Sequence, residues 1–499
     1  MALARLITRA IVGVETPPVM VEVHLTGGLP AMTIVGMAET AVKESRDRVR
    51  SALINAQFDF PARRITVNLA PADLPKGGGR YDLAIALGIL LASEQLPAAS
   101  LHETEVMGEL ALGGELRPVA GALPAAVAAR SAGRRLLIPA ANAPDVAVLA
   151  NADVIAASDL LVLCGHLRGL APISPLLHSM PSSSPQGPDI ARVRGQPLAR
   201  QALEIAAAGG HNLLFFGPPG TGKTLLATSL PSILPSMTEA ESLEVAAIQS
   251  ITGQPIVWGQ RPFRAPHHTT SGVALVGGGQ TPRPGEITLA HHGVLFLDEL
   301  TEFHRATLDV LREPLESGEI FISRATRKTR FPAQFQLVAA MNPTPSGYSA
   351  SDVRSEGYTQ AQLRRYLNRL SGPLLDRIDL CIEVPAVPPE VLQARAPTET
   401  SAVVQQRVQL AWQRQMQRQG CQNQVLSDTA LTQLGVLASA EQALLIRLAE
   451  QLRLSARAQH RLQRIALTLA DLAKAPRIDQ THIMTAIQLR QLDRLRQEE

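Results

Sequence analysis

The 499-residue sequence predicts an α/β chain organised around a parallel sheet that presents a phosphate-binding loop. Three observations predict it. The stretch Gly217, Pro218, Pro219, Gly220, Thr221, Gly222, Lys223, Thr224 stands between an apolar run at 212–216 and a helix-compatible run at 225–230. Two later apolar runs, 293–297 and 336–341, end in the polar groups Asp298-Glu299 and Asn342. From about residue 394 onward, leucines recur at helical spacing.

Strand, glycine-rich loop, Lys-Thr and helix form the P-loop in its required context. Gly217, Gly220 and Gly222 let the backbone turn so that several N–H groups face one phosphate chain. The following helix adds its N-terminal dipole. Lys223 offers a point charge to the β- and γ-phosphates of ATP, and the Thr224 hydroxyl can ligate Mg²⁺.

Length points to about three domains. Lys and Arg number 47 against 44 Asp and Glu, a net charge of +3. That balance is too small to imply nucleic acid by itself, so local clustering has to carry the argument. Cys164, Cys381 and Cys421 are far apart and odd in number. They form no disulfide framework, which suits a reducing cytoplasm. The first ten residues carry charges inside their apolar run, unlike a secretory signal core. The longest apolar stretch, 83–93, is too short to span a bilayer. A cytoplasmic location and no membrane partner are expected.

Residues 1–170 read as one α/β unit. Val19–Leu25, Arg64–Leu69 and Leu136–Pro139 have strand composition, and 38–56 has helical spacing through Val42, Val49 and Leu53. Residues 171–189 are rich in Pro and Ser and read as an extended linker. A second domain follows over 190–393, opening with a helix from Gly195 whose apolar side holds Leu198, Ala202, Leu203 and Ile205.

Within 190–393, the strand ending at Asp298 and Glu299 is expected beside the P-loop strand. Asp298 would hold the Mg²⁺ shell and Glu299 would polarise the attacking water. Asn342 is placed to reach the γ-phosphate or that water. Arg377, in Leu-Leu-Asp-Arg-Ile-Asp, offers a guanidinium to a neighbouring subunit's nucleotide. Residues 319–332 alternate apolar and polar on two arms of a basic tip, a β-hairpin pattern. Arg324, Arg327, Lys328 and Arg330 make the densest basic cluster in the chain and suit phosphate contacts. The pairs His267-His268 and His291-His292 are read as structural, because neighbours on a strand point to opposite faces. Residues 394–499 read as a helical domain, whose arginines 461, 464, 477, 490, 494 and 496 are expected on solvated faces.

The order of these motifs resembles the AAA+ ATPases. The insert containing Arg-Pro-Phe-Arg-Ala-Pro-His-His-Thr-Thr (261–270) and Pro-Gly-Glu-Ile-Thr-Leu-Ala-His-His-Gly (284–293) is similar to the magnesium-chelatase-like branch, and within it to the ComM/YifB family. The resemblance covers essentially the whole chain. It implies an AAA+ core with a hairpin insert and a helical lid, a homo-hexameric ring, and ATP with Mg²⁺ as cofactor. It implies DNA, single-stranded or branched, as partner, with recombination proteins alongside. The activity implied is that of a branch-migration helicase promoting integration of DNA in natural transformation. Arg457, in Ser-Ala-Arg-Ala-Gln-His-Arg, matches the nucleotide-sensing arginine of the lid. Many family members carry a cysteine cluster after the Asn-Pro turn; here no cysteine follows Asn342 until Cys381, so no zinc is expected.

Residues 67–79 and 112–121 resemble the Lon protease domain. Where Lon-type enzymes place the serine and lysine of their dyad, this chain has Arg80 and Ala122-Leu123. Peptide hydrolysis would then lack both nucleophile and base, and the domain is expected to be non-proteolytic. The alternative activity is a chelatase-like or protein-remodelling ATPase acting on a partner protein.

Overall fold

The computed structural model describes residues 3–36, 42, 44–180, 187–279, 282–324, 327–344, 362, 366, 369–393, 398–452 and 454–490. The chain divides into two compact units. The first comprises Met1–Ser183 with two later segments, Ser242–Trp258 and Ser323–Arg330. The second comprises Ser184–Glu241, Gly259–Ile322 and Phe331–Glu499.

The first unit is built on a mixed seven-stranded sheet. Its strands are β1 (Leu3–Arg9), β2 (Pro18–Thr26), β3 (Ala31–Val35), β4 (Arg64–Ala70), β5 (Thr104–Val106), β6 (Arg135–Pro139) and β7 (Val154–Ala157), in the order β3-β4-β2-β1-β5-β6-β7. The three strands expected from composition are present with ends shifted by a residue or so. Helix α1 covers Ser45–Asn55 and buries Val49, Ala52 and Leu53; the first four residues of the expected helix, 38–41, lie outside the described residues. The longest apolar stretch forms helix α2 (Asp82–Ala92), buried at every position but Leu91. An all-round apolar helix belongs in a core, and α2 packs on β1 and β2. Helix α3 (Ala122–Ser131) shares a second core with Ala246 and Trp258 from the late segment 242–258. The segment expected as a linker has no regular secondary structure over 172–180, yet it is tied down. Leu176 N donates to Val154 O at 2.8 Å and Ser179 N to Ala147 O at 2.8 Å.

The second unit is a five-stranded parallel sheet with helices. Helix α4 (Pro197–Gly209) leads into β8 (Leu213–Phe216), and helix α5 (Lys223–Ser229) follows the P-loop. The other sheet strands are β9 (Phe263–Arg264), β10 (Val294–Leu297), β13 (Gln336–Met341) and β14 (Leu380–Glu383). Between β10 and β13 the chain forms the expected hairpin, β11 (Glu319–Arg324) with β12 (Arg327–Pro332). The sheet order is β9-β10-β13-β8-β14. β8, β10 and β13 are buried at every residue, as parallel strands covered on both faces must be.

That order corrects one expectation. The strand ending at Asp298 is not beside the P-loop strand; β13 lies between, pairing in parallel with both β8 and β10. C-terminal helices α6 (Ser401–Gln419), α7 (Ala456–Leu472) and α8 (Gln480–Gln488) share one hydrophobic core with α4 and the sheet, through Val404, Val408, Leu462, Ile465 and Ile483. No described helix is long and apolar enough to cross a membrane.

A second correction concerns arginines of the C-terminal helices. Arg461 and Arg490 are buried, not solvated. Arg461 donates to the carbonyls of Asp376 and Ile378, and Arg490 donates to Asp379 O at 2.8 Å. They satisfy backbone acceptors just ahead of β14, a long-range task that helical spacing cannot reveal. Arg464 pairs with Asp428 at 2.7 Å; Arg494 and Arg496 lie outside the described residues.

Candidate nucleotide site

All strands of a parallel sheet end on the same edge, so whatever follows β8, β10 and β13 is gathered there. Ligands of open α/β sheets bind in the crevice outside those carboxyl ends. After β8 comes Gly217, whose N–H donates to Met341 O at 3.3 Å. A Cβ at Gly217 would lie 2.2 Å from the carbonyl oxygen of Val384, so only glycine fits between these strand ends. Gly220 and Gly222 have φ of 77° and 92°, with open space where a Cβ would stand. Thr221 Oγ1 closes the loop by donating to Pro218 O at 3.0 Å; Pro219 and Gly220 are exposed. Gly222 caps α5, whose first two residues are Lys223 and Thr224.

The Lys223 ammonium is buried and donates to Gly217 O and Pro218 O, each at 2.7 Å, and to Asn342 Oδ1 at 3.2 Å. Burial pushes its pKa below the usual lysine value, opposed by the charge of Asp298. Thr224 Oγ1 donates to Asp298 Oδ2 at 2.8 Å. The other carboxylate oxygen, Oδ1, accepts the N–H of Glu299 at 2.9 Å. This hydroxyl–carboxylate pair is the donor set a small divalent cation takes: two hard oxygens brought together from separate elements. The open glycine cradle and the buried ammonium likewise fit a triphosphate.

Glu299 has φ of 51°, a left-handed conformation uncommon for a side chain of this size. Its Oε2 lies 3.1 Å from Nδ1 of His268. His268 is a site residue the sequence reading missed. Its ring packs against His267 at 4.0 Å between centroids and edge-on to Phe303 at 6.5 Å. The rings of His291 and His292 are also together, at 3.9 Å. Both pairs lie in turns rather than on strands, and His292 has φ of 55°. The alternation that would separate adjacent side chains therefore does not apply. A histidine pair at the exit of a short strand, one step from the acid-ended strand, was the available signal.

Asn342 touches Lys223 with its side chain, and its carbonyl accepts the Tyr366 hydroxyl at 3.2 Å. Tyr366 also shares a hydrogen bond of 2.7 Å with Thr301, and burial pushes its phenol above the usual value. Arg377 stands elsewhere, just ahead of β14, paired with Glu316 and donating to Pro373 O. Arg457 is exposed near the start of α7, and no hydrogen bond or ion pair ties it to a described residue. On the hairpin, Lys328 and Arg330 are exposed; the side chains of Arg324 and Arg327 lie outside the described set. All four fall within the late segment that packs with the first unit.

A family model described as magnesium chelatase, subunit ChlI, matches residues 189–392, and its C-terminal counterpart matches 398–490. Residues 21–142 match a model described as subunit ChlI of Mg-chelatase, a description that names the chelatase rather than Lon. The uncharacterized protein YifB of Salmonella typhimurium is 49% identical over 99% of this chain and 98% of its own length. The competence protein ComM of Haemophilus influenzae is 49% identical over 100% of this chain and 99% of its own length. The magnesium-chelatase 38 kDa subunit of Cereibacter sphaeroides is 28% identical over 38% of this chain and 56% of its own length.

Proposed function

The chain belongs to the ComM/YifB family of magnesium-chelatase-like AAA+ proteins, and from that premise we propose that it is an ATP-driven ring motor acting on DNA. The observation that carries the reading is the convergence of Lys223, Asn342, Thr224 and Asp298 through direct hydrogen bonds at one sheet edge. Bound ATP with Mg²⁺ would supply the transferable γ-phosphoryl group and the divalent charge that neutralises it.

The chain's own residues have separate tasks. The glycine loop's N–H groups bind phosphate oxygens, and Lys223 adds its charge from beneath the loop. Thr224 and Asp298 would hold the divalent ion. Glu299 orients the attacking water and accepts its proton. Asn342 steadies the reacting phosphate. Arg377 reaches the nucleotide of the next protomer in a hexamer, and a finger given in trans makes the oligomer part of the site. Arg457 senses the nucleotide from the helical lid, 394–499. The whole set works in the cytoplasm, without zinc.

The DNA assignment rests on the relationship to ComM and on the basic hairpin of Arg324, Arg327, Lys328 and Arg330. The first unit, which we read as Lon-like, serves as a non-proteolytic adaptor. Position 80 carries arginine, and Ala122 and Leu123 are fully buried and apolar. Branch migration is tested with a labelled four-way junction and ATP. Conversion to duplex arms by the wild type but not by Lys223→Ala is expected. Turnover that ignores DNA and responds to a partner protein would instead favour the chelatase-like reading, to which the matched family models lend weight.

A further inference from the structure

The backbone around Arg377 is pinned. Its carbonyl accepts Asn212 Nδ2 at 2.9 Å, and its N–H donates to Leu374 O at 2.9 Å. The next two carbonyls, of Ile378 and Asp379, accept the buried arginines 461 and 490. Any change of partner at Arg377 is therefore a side-chain event.

That side chain is mostly covered, 13% exposed, and its Nη2 pairs with Oε1 of Glu316. Its Nη1 donates to Pro373 O, while its buried Nε has no hydrogen-bond partner among the described residues. The guanidinium is thus held by one carboxylate and one carbonyl. Glu316 is its unequal partner: its side chain is 58% exposed. It also lines a cavity of about 550 Å³, together with Asn212, Gln334, Trp412 and Gly420. An ion pair with one partner open to water is weak, worth about fivefold in an equilibrium at most. A triphosphate carries more charge and offers bidentate oxygens, so it outcompetes such a carboxylate for an arginine.

We propose that Glu316 is a positioning residue that parks Arg377 on its own protomer, and that Arg377 exchanges this carboxylate for the nucleotide phosphates of the neighbouring protomer when the ring closes. The proposal rests on the trans-acting role of Arg377 and adds its resting partner. Because Glu316 competes with the phosphates, it restrains turnover and does not build the site.

Glu316→Gln keeps the size of the side chain and removes the charge. ATP turnover is measured against protein and ATP concentration for Glu316→Gln, Arg377→Ala and the double variant, with thermal melting as a check on folding. Glu316→Gln is expected to raise kcat about threefold to fivefold with little change in KM, and the gain is expected to vanish when Arg377 is also replaced. Unchanged or lower turnover in Glu316→Gln, with Arg377→Ala still inactive, would overturn the parking role and leave the finger standing. Full turnover in Arg377→Ala would remove the finger itself and the proposal with it. A gain that persists in the double variant would show that Glu316 acts through some other group, and would also overturn it.

Discussion

Thr224 and Asp298 are 74 residues apart in sequence, yet the hydroxyl of one donates to Oδ2 of the other at 2.8 Å. The contact joins the first turn of α5 to the end of β10, with β13 lying between their parent strands. Two oxygens from separate elements are thereby held ready on one side of the buried Lys223 ammonium.

Asp298→Asn removes the charge and leaves the shape. Turnover is expected to fall at least about 100-fold, because the divalent cation contributes several kcal/mol of charge stabilisation. Nucleotide binding in the presence of EDTA should change little. A coupled phosphate-release assay with a fluorescent nucleotide titration checks both arms.

His268→Ala leaves Glu299 without its imidazole partner. The Glu299 side chain is 56% exposed, so the contact is worth about 1 kcal/mol at most, and kcat is expected to fall about threefold to fivefold while ATP affinity holds. His268→Asn, which keeps a donor, should recover most of the rate. Equal losses in both variants would mean that the contact orients nothing.

Asp379 is buried, and burial alone would raise its pKa; His211, whose Nδ1 stands 3.6 Å from its carboxylate, the charge of Arg461 and the N–H of Asn212 outweigh this and hold it below the usual aspartate value of 3.8. A depressed folded pKa means that the unfolded chain binds the proton more readily in that window. The stabilisation is therefore fully present above pH 3.8 and is lost as the pH falls through the lower folded value. Asp379→Asn is expected to cost about 3 kcal/mol at neutral pH and to flatten the acid limb of stability. Urea melts across a pH series test this.

Lys328→Ala with Arg330→Ala removes two exposed cations from the hairpin. Each phosphate contact contributes about −0.7 to −0.9 to the slope of log K against log salt. DNA binding is expected to weaken and its slope to fall by about 1.5. A slope equal to wild type would take these residues out of the DNA contact.

Much of the candidate site was legible because a parallel sheet brings its strand ends to one edge. Once 212–216, 293–297 and 336–341 are recognised as buried runs, Lys223, Asp298 and Asn342 must meet. The order of those strands was not legible, since an apolar run says that it is buried but not which run lies beside it. His268 escaped because alternation was assumed where the chain turns. Arg461 and Arg490 escaped because their partners, the carbonyls of 376–379, belong to a distant segment. Strand β1 left a fainter trace: Ala4, Leu6 and Thr8 face inward, but Arg5 and Arg9 make the run look like a charged terminus. Arg9 is in fact buried on Glu105, its Nη2 bonded at 2.6 Å.

Helices α6, α7 and α8 supply apolar residues to the same core as α4 and the parallel sheet. His211, at the foot of β8, is bonded to Thr468 of α7 at 2.8 Å. During synthesis, the sheet residues emerge well before the residues that cover them. A chain truncated near residue 395 would display a greasy flank where Ala202, Ala206 and Ile205 should be roofed over. Nascent protein at that stage is a client for holdase chaperones, and a premature stop there should yield aggregate in place of a smaller working ATPase.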